Sequence, residues 1–224
     1  MNPSLPIRGF TLIELLVVLG IITLLAGGLG LALRDGESAR ALEAAQATVA
    51  SLVSAARVEA VLHQNRTMLV FDADPSGDCF LRGVQVAVES APDSGRWRIA
   101  GPGAVLPRGI CVVPGSVGVV GATFAADDAQ PGTWPEERQS TLEMMPAGSI
   151  LNGADNPSGK YLGMSVPLTS KGLAGVGVSV KLVLAAVRRA PPGLIFDHPD
   201  QVRGIALSSY GVAILLNDAR AFDF

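Results

Sequence analysis

The sequence predicts an α+β protein: a long N-terminal helix packed on a C-terminal antiparallel β-sandwich head. Three observations predict it. Between Leu15 and Leu33 there is no charged residue, and Thr23 carries the only polar side chain. From Ala39 onward, Leu42, Ala45, Val49, Leu52, Ala56 and Ala60 recur at three- and four-residue spacing, which lays one apolar stripe along a helix. After Asn65 the apolar period drops to two, in short runs separated by Gly and Pro.

Composition sets the bounds. A chain of 224 residues accommodates one membrane helix and one sizeable domain. Hydrophobic residues make up 49%, with much of the excess in the first 34 positions. The 26 Gly and 15 Pro with few aromatics suit a turn-rich β domain. Formal charge is −3. Such a balance argues against a nucleic-acid binder, whose affinity rests on a basic surface.

In chain order, residues 1–9 read as a short polar leader in which Pro3 and Pro6 discourage helix. Residues 10–34 read as a membrane helix of about 36 Å, enough for a hydrocarbon core of roughly 30 Å. Gly27, Gly28 and Gly30 mark a place for it to bend or locally melt, the alternative being that glycines are simply common in membrane helices. Glu14 stands inside the apolar run, where an acid is unfavourable without a partner, and so is a functional candidate. Arg34-Asp35-Gly36-Glu37-Ser38 marks exit into water, and residues 35–64 form the amphipathic half. No proline interrupts Phe10 to Gln64, so one helix of about 80 Å is expected.

Residues 65–224 form the β-rich head. Strands are expected at Thr67–Phe71, Phe80–Glu89, Arg96–Ile99, Gly109–Val113, Val117–Phe124, Thr141–Met145, Lys160–Val166, Val178–Arg188, Gly204–Ser209 and Val212–Leu216. Asp127–Glu137 and Asn152–Gly159 read as loops.

Gly9-Phe10-Thr11-Leu12-Ile13-Glu14-Leu15-Leu16-Val17-Val18 resembles the cleavage and methylation signal of type IV prepilins and pseudopilins. The resemblance implies a pilin-like fold. It implies that a prepilin peptidase and methyltransferase cuts between Gly9 and Phe10 and methylates the Phe10 amine. It further implies that Glu14 meets that amine on a neighbouring subunit during assembly; neutralising its own chain's amine and the positive end of its own helix is the competing reading. The implied place is the bacterial inner membrane, single-pass, with the leader cytoplasmic and the head periplasmic. Implied partners are other pilins or pseudopilins and an inner-membrane assembly platform. A signal anchor, or a signal peptide ending at Ala26-Gly27-Gly28, is the rival reading; it leaves Glu14 and the short leader unexplained. Ala56-Arg57-Val58-Glu59-Ala60-Val61, Leu106-Pro107-Arg108-Gly109-Ile110 and the segment from Arg203 to Gly211 are similar to the GspH/FimT type of minor pseudopilin.

Cys79 and Cys111 are the only cysteines, and an oxidising compartment would favour a bridge between them. In the chain-entropy model it would contribute roughly 3–4 kcal/mol; two separate buried thiols are the alternative. Asp72, Asp74 and Asp78 space their carboxylates like the start of a calcium loop, but Gly83 stands where the closing glutamate is needed. A polar hairpin turn accounts for the same residues. His63 and His198 are isolated, and Asn65-Arg66-Thr67 forms a sequon of little meaning in a bacterial pilin-like chain. No phosphate loop, nucleophile elbow or metal-ligand cluster is present, so neither an enzyme nor a cofactor is expected.

Three functions compete. The first is a structural minor pseudopilin of a type II secretion system. The second is a type IV pilus minor pilin acting in pilus assembly or DNA uptake; the tail after Leu216, with two acids and one base, disfavours DNA. The third is a membrane-tethered β-sandwich binding module that never assembles.

Overall fold

A computed structural model describes residues 12–92, 94–101, 103–115, 122–126, 129–131, 134–145, 150–151, 154–155, 160–166, 180–190, 193–196, 198–208 and 210–222. The chain divides into two compact units, Met1–Ala39 and Arg40–Phe224. Helix α1 is Leu12–His63, and Gly27, Gly28 and Gly30 lie within it. Its expected start at Phe10 lies outside the described residues.

In the second unit, all six expected stripe residues of α1 are buried, and Val53 joins them. From Leu42 to Ala56 they share one hydrophobic core with strands of the head. Gln46 lies among them and is also buried. Its Nε2 donates to the carbonyls of Gly204 (2.7 Å) and Leu216 (3.0 Å), so a polar side chain spends its donors on backbone acceptors of two strands. Gln64 stops the helix in the left-handed region at φ 53°, and its own Nε2 donates to Val61 O.

Sixteen strands follow among the described residues. They are β1 Thr67–Asp72, β2 Gly83–Glu89, β3 Arg96–Ile99, β4 Ala104–Val105, β5 Ile110–Val112, β6 Ala122–Ala126, β7 Ala129–Pro131 and β8 Glu143–Met144. Then come β9 Ile150–Leu151, β10 Ala154–Asp155, β11 Tyr161–Val166, β12 Lys181–Ala186, β13 Arg188–Ala190, β14 Gly193–Phe196, β15 Val202–Leu207 and β16 Ala213–Leu216. The largest sheet has the order β10-β9-β3-β2-β1-β11-β8, with β4 also on β2. A second runs β16-β15-β12-β5 and a third β13-β14-β6-β7. Most pairings are antiparallel, as between Thr67 and Val166 or Lys181 and Ala206. Two are not: β3 pairs β9, and β14 pairs β6, in parallel. The head is therefore not purely antiparallel.

Several boundaries differ from expectation for identifiable reasons. The strand expected from Phe80 starts at Gly83, because a turn occupies the preceding residues. Leu81 sits there at φ 53°, fully buried, with its N–H on Asp72 O (2.7 Å) and its carbonyl accepting from Val112 N (2.9 Å). Packing and two backbone bonds hold a left-handed backbone that leucine disfavours. The strand expected over Val178–Arg188 stops at Ala186. Val187 N–H still bonds Gly109 O (2.9 Å), in register with the β12–β5 pairing, before the chain resumes in another sheet as β13. The expected loops contain β7, a 3-10 turn at Glu136–Arg138, and β10. Most of Val117–Phe124 and the first residues of Val178–Arg188 lie outside the described residues.

Candidate functional site

The N-terminal candidate starts from the apolar run. Gly9 and Phe10 lie outside the described residues, whereas Glu14 falls in the first turn of α1. There it shares a shallow depression with Ile13, Val17 and Val18, the neighbours that helical spacing brings together. Eleven large apolar side chains between Leu12 and Leu25 are exposed, on every side of the helix. An apolar surface of this extent is not stable in water and calls for lipid or partner helices. Thr23 fits either setting: its Oγ1 donates to Leu19 O (3.0 Å) and Gly20 O (2.9 Å), so the hydroxyl needs no water. Among the described residues no helix is long and apolar enough to cross a membrane.

Residues 6–30 match the family described as the prokaryotic N-terminal methylation motif. This prepilin-type motif supports a type IV pilin-like protein, with a processing peptidase and other pilins as partners, and suggests membrane anchoring. No curated protein and no solved structure matches the chain.

The head candidates separate. Asp72 Oδ1 accepts from Asp74 N (2.9 Å), and Asp74 Oδ1 accepts from Ser76 N (3.0 Å) and Ser76 Oγ (2.6 Å). Lys160 Nζ lies 3.1 Å from Asp74 Oδ2. The Ser76 hydrogen bonds first, then Lys160, hold the Asp74 carboxyl down to about 2. These two carboxylates brace a polar turn, while Asp78 borders a different feature, the cleft beside it. Among the described residues no group of His, Cys, Asp and Glu could hold a metal ion.

The bridge expected between Cys79 and Cys111 is not formed here: both are free thiols, Cys79 half-buried and Cys111 buried. Cys111 Sγ faces the Phe80 carbonyl at 3.9 Å, and burial pushes its thiol up to about 12. His63 Nε2 lies 3.2 Å from Glu59 Oε2 and 2.7 Å from Arg98 Nη2, an exposed cluster at the helix end.

One concavity was not legible in the sequence. A cleft of about 780 Å³ brings Arg82, Arg108 and Arg189 together over a floor that includes Phe80 and Leu194. These arginines are far apart in the chain, and no spacing rule connects them.

Proposed function

We propose that this chain is a pilin-like structural subunit, cut between Gly9 and Phe10, N-methylated on Phe10 and anchored by residues 10–34 in the inner membrane. The match of residues 6–30 to the methylation motif carries this reading. The exposed apolar side chains from Leu12 to Leu25 support the anchor, since burial in lipid removes them from water. In the mature chain Glu14 lies one helical turn from Phe10. Its carboxylate meets the Phe10 amine of an adjacent subunit and sets axial register in a filament. The finer assignment we favour is a minor pseudopilin of type II secretion, on the short likenesses to the GspH/FimT type at Ala56–Val61, Leu106–Ile110 and Arg203–Gly211.

Intact-mass measurement of membrane-extracted protein tests the processing. The expected mass is that of Phe10–Phe224 plus one methyl group. A chain retaining Met1–Gly9 in a host with active prepilin peptidase refutes it. Glu14→Ala then tests assembly: the variant is expected to insert and be cut, yet to lose crosslinking between single cysteines on neighbouring subunits' N-terminal helices. Crosslinking at the unmodified level refutes the role of Glu14. Co-purification with a secretion platform rather than a pilus platform is the expected outcome for the finer assignment.

A further inference from the structure

We propose that the cleft bordered by Arg82, Arg108 and Arg189 binds a carboxylate side chain carried on an extended, partly apolar segment of a partner protein. Its lining is a local reversal of charge. Three guanidiniums and the Asp78 carboxylate give a net +2 in a chain whose formal charge is −3. About 780 Å³ is the size of a peptide or small-ligand cleft.

The three arginine-bearing segments are tied to one another by the backbone. Arg82 Nε and Nη2 both donate to Leu106 O (3.2 and 2.7 Å), which fixes this half-buried guanidinium at the cleft wall. Leu106 leads into the turn that carries Arg108. That turn closes with Ile110 N–H on Pro107 O (3.2 Å), and Gly109 supplies the required positive φ of 79°. Gly109 O then accepts from Val187 N (2.9 Å), two residues before Arg189. A site tied in this way needs little reorganisation to receive a ligand.

Arg108 and Arg189 are exposed, and among the described residues neither has an ion-pair partner. Guanidinium groups match carboxylates bidentately, and clusters of them read acidic motifs in peptides. At the Cys111 thiol in the cleft lining, Arg82 and then Arg189 pull the pKa down against burial, so both charges act at one point. The apolar floor of Phe80 and Leu194 favours apolar neighbours beside the acid over a bare anion. A chain of formal charge −3 also favours a short acidic segment over a polyanion such as nucleic acid. This site stands apart from the filament reading and does not depend on it.

The test uses the full chain in detergent micelles. The probe is a fluorescein-labelled heptapeptide alternating Glu and Leu, and its control is the Gln–Leu counterpart. Fluorescence anisotropy is expected to show saturable binding of the Glu peptide, weakened by salt, and at least about tenfold weaker binding of the Gln peptide. Arg108→Gln and Arg189→Gln, both exposed, are each expected to weaken the Glu peptide about tenfold with unchanged tryptophan emission. Equal binding of the two peptides on the unmodified chain overturns the proposal without recourse to any variant. So does competition by inorganic phosphate or a single-stranded oligonucleotide at lower concentration than the unlabelled Glu peptide.

Discussion

Replacing Gln46 by leucine isolates a buried polar clamp between α1 and strands β15 and β16. The side chain is 3% exposed, and its amide donates to Gly204 O at 2.7 Å and Leu216 O at 3.0 Å. Leucine fills much the same volume, so no large cavity contributes. Each buried carbonyl deprived of a donor costs about 1–3 kcal/mol. A value in the lower half, about 1.5 kcal/mol each, applies, because a carbonyl oxygen has a second lone pair for its other partners. Against a loss of about 3 kcal/mol for two carbonyls, extra apolar burial returns roughly 1 kcal/mol. A net destabilisation of about 2 kcal/mol is expected, or a fall of about 4–8 °C in Tm for a head of this size. Urea unfolding of the full chain in detergent, followed by fluorescence of the buried Trp97 and Trp134, measures it. Ser54→Ala is the control: Ser54 is exposed and bonds only back to Ala50 O, so a change within about 0.5 kcal/mol is expected. A loss below about 0.5 kcal/mol for Gln46→Leu would show that the clamp is energetically idle.

Three further outcomes follow from particular contacts. Gly204→Ala would drive a Cβ into Leu182 O, a backbone atom that cannot step aside, so a loss of about 3 kcal/mol or more is expected in the same urea titration. The Asp74 carboxyl should titrate near 2 by NMR, with Ser76→Ala and Lys160→Gln each raising it. Because its folded pKa lies below the unfolded one, its stabilisation is present above about pH 4 and is lost as pH falls toward 2. An unchanged value in Ser76→Ala would show that the Ser76 hydroxyl does not hold the carboxylate. For the thiols, the unfolded chain should titrate two per molecule; in the native chain at pH 8 Cys111 should stay unreactive, because burial keeps it protonated to about 12. Titration of none in the unfolded chain would establish a bridge instead.

Some of this protein is written in local sequence. Residues 15–33 carry no charge, Gly9, Phe10 and Glu14 stand in fixed order, and Leu42 to Ala60 recur at helical spacing. Such signals are periodic or contiguous, so the helix, its buried face and the prepilin-type N-terminus are all legible without coordinates. Strands such as β1, β3 and β11 were legible for the same reason, since each carries its own two-residue period or a clear boundary.

Tertiary structure decided the rest. Two-residue strands such as β9 and β10 hold too few residues for any period, and only their pairing partners define them. The break at Val187 is a matter of partners: Ala186 pairs with β5 in one sheet and Arg188 with β14 in another. Leu81 takes a left-handed backbone because Asp72 and Val112 hold it there, against its own preference. Gln46 reads as a gap in an apolar stripe until two strand carbonyls appear opposite it. The arginine cleft is the extreme case: its three charges come from distant segments, and chain packing alone brings them together.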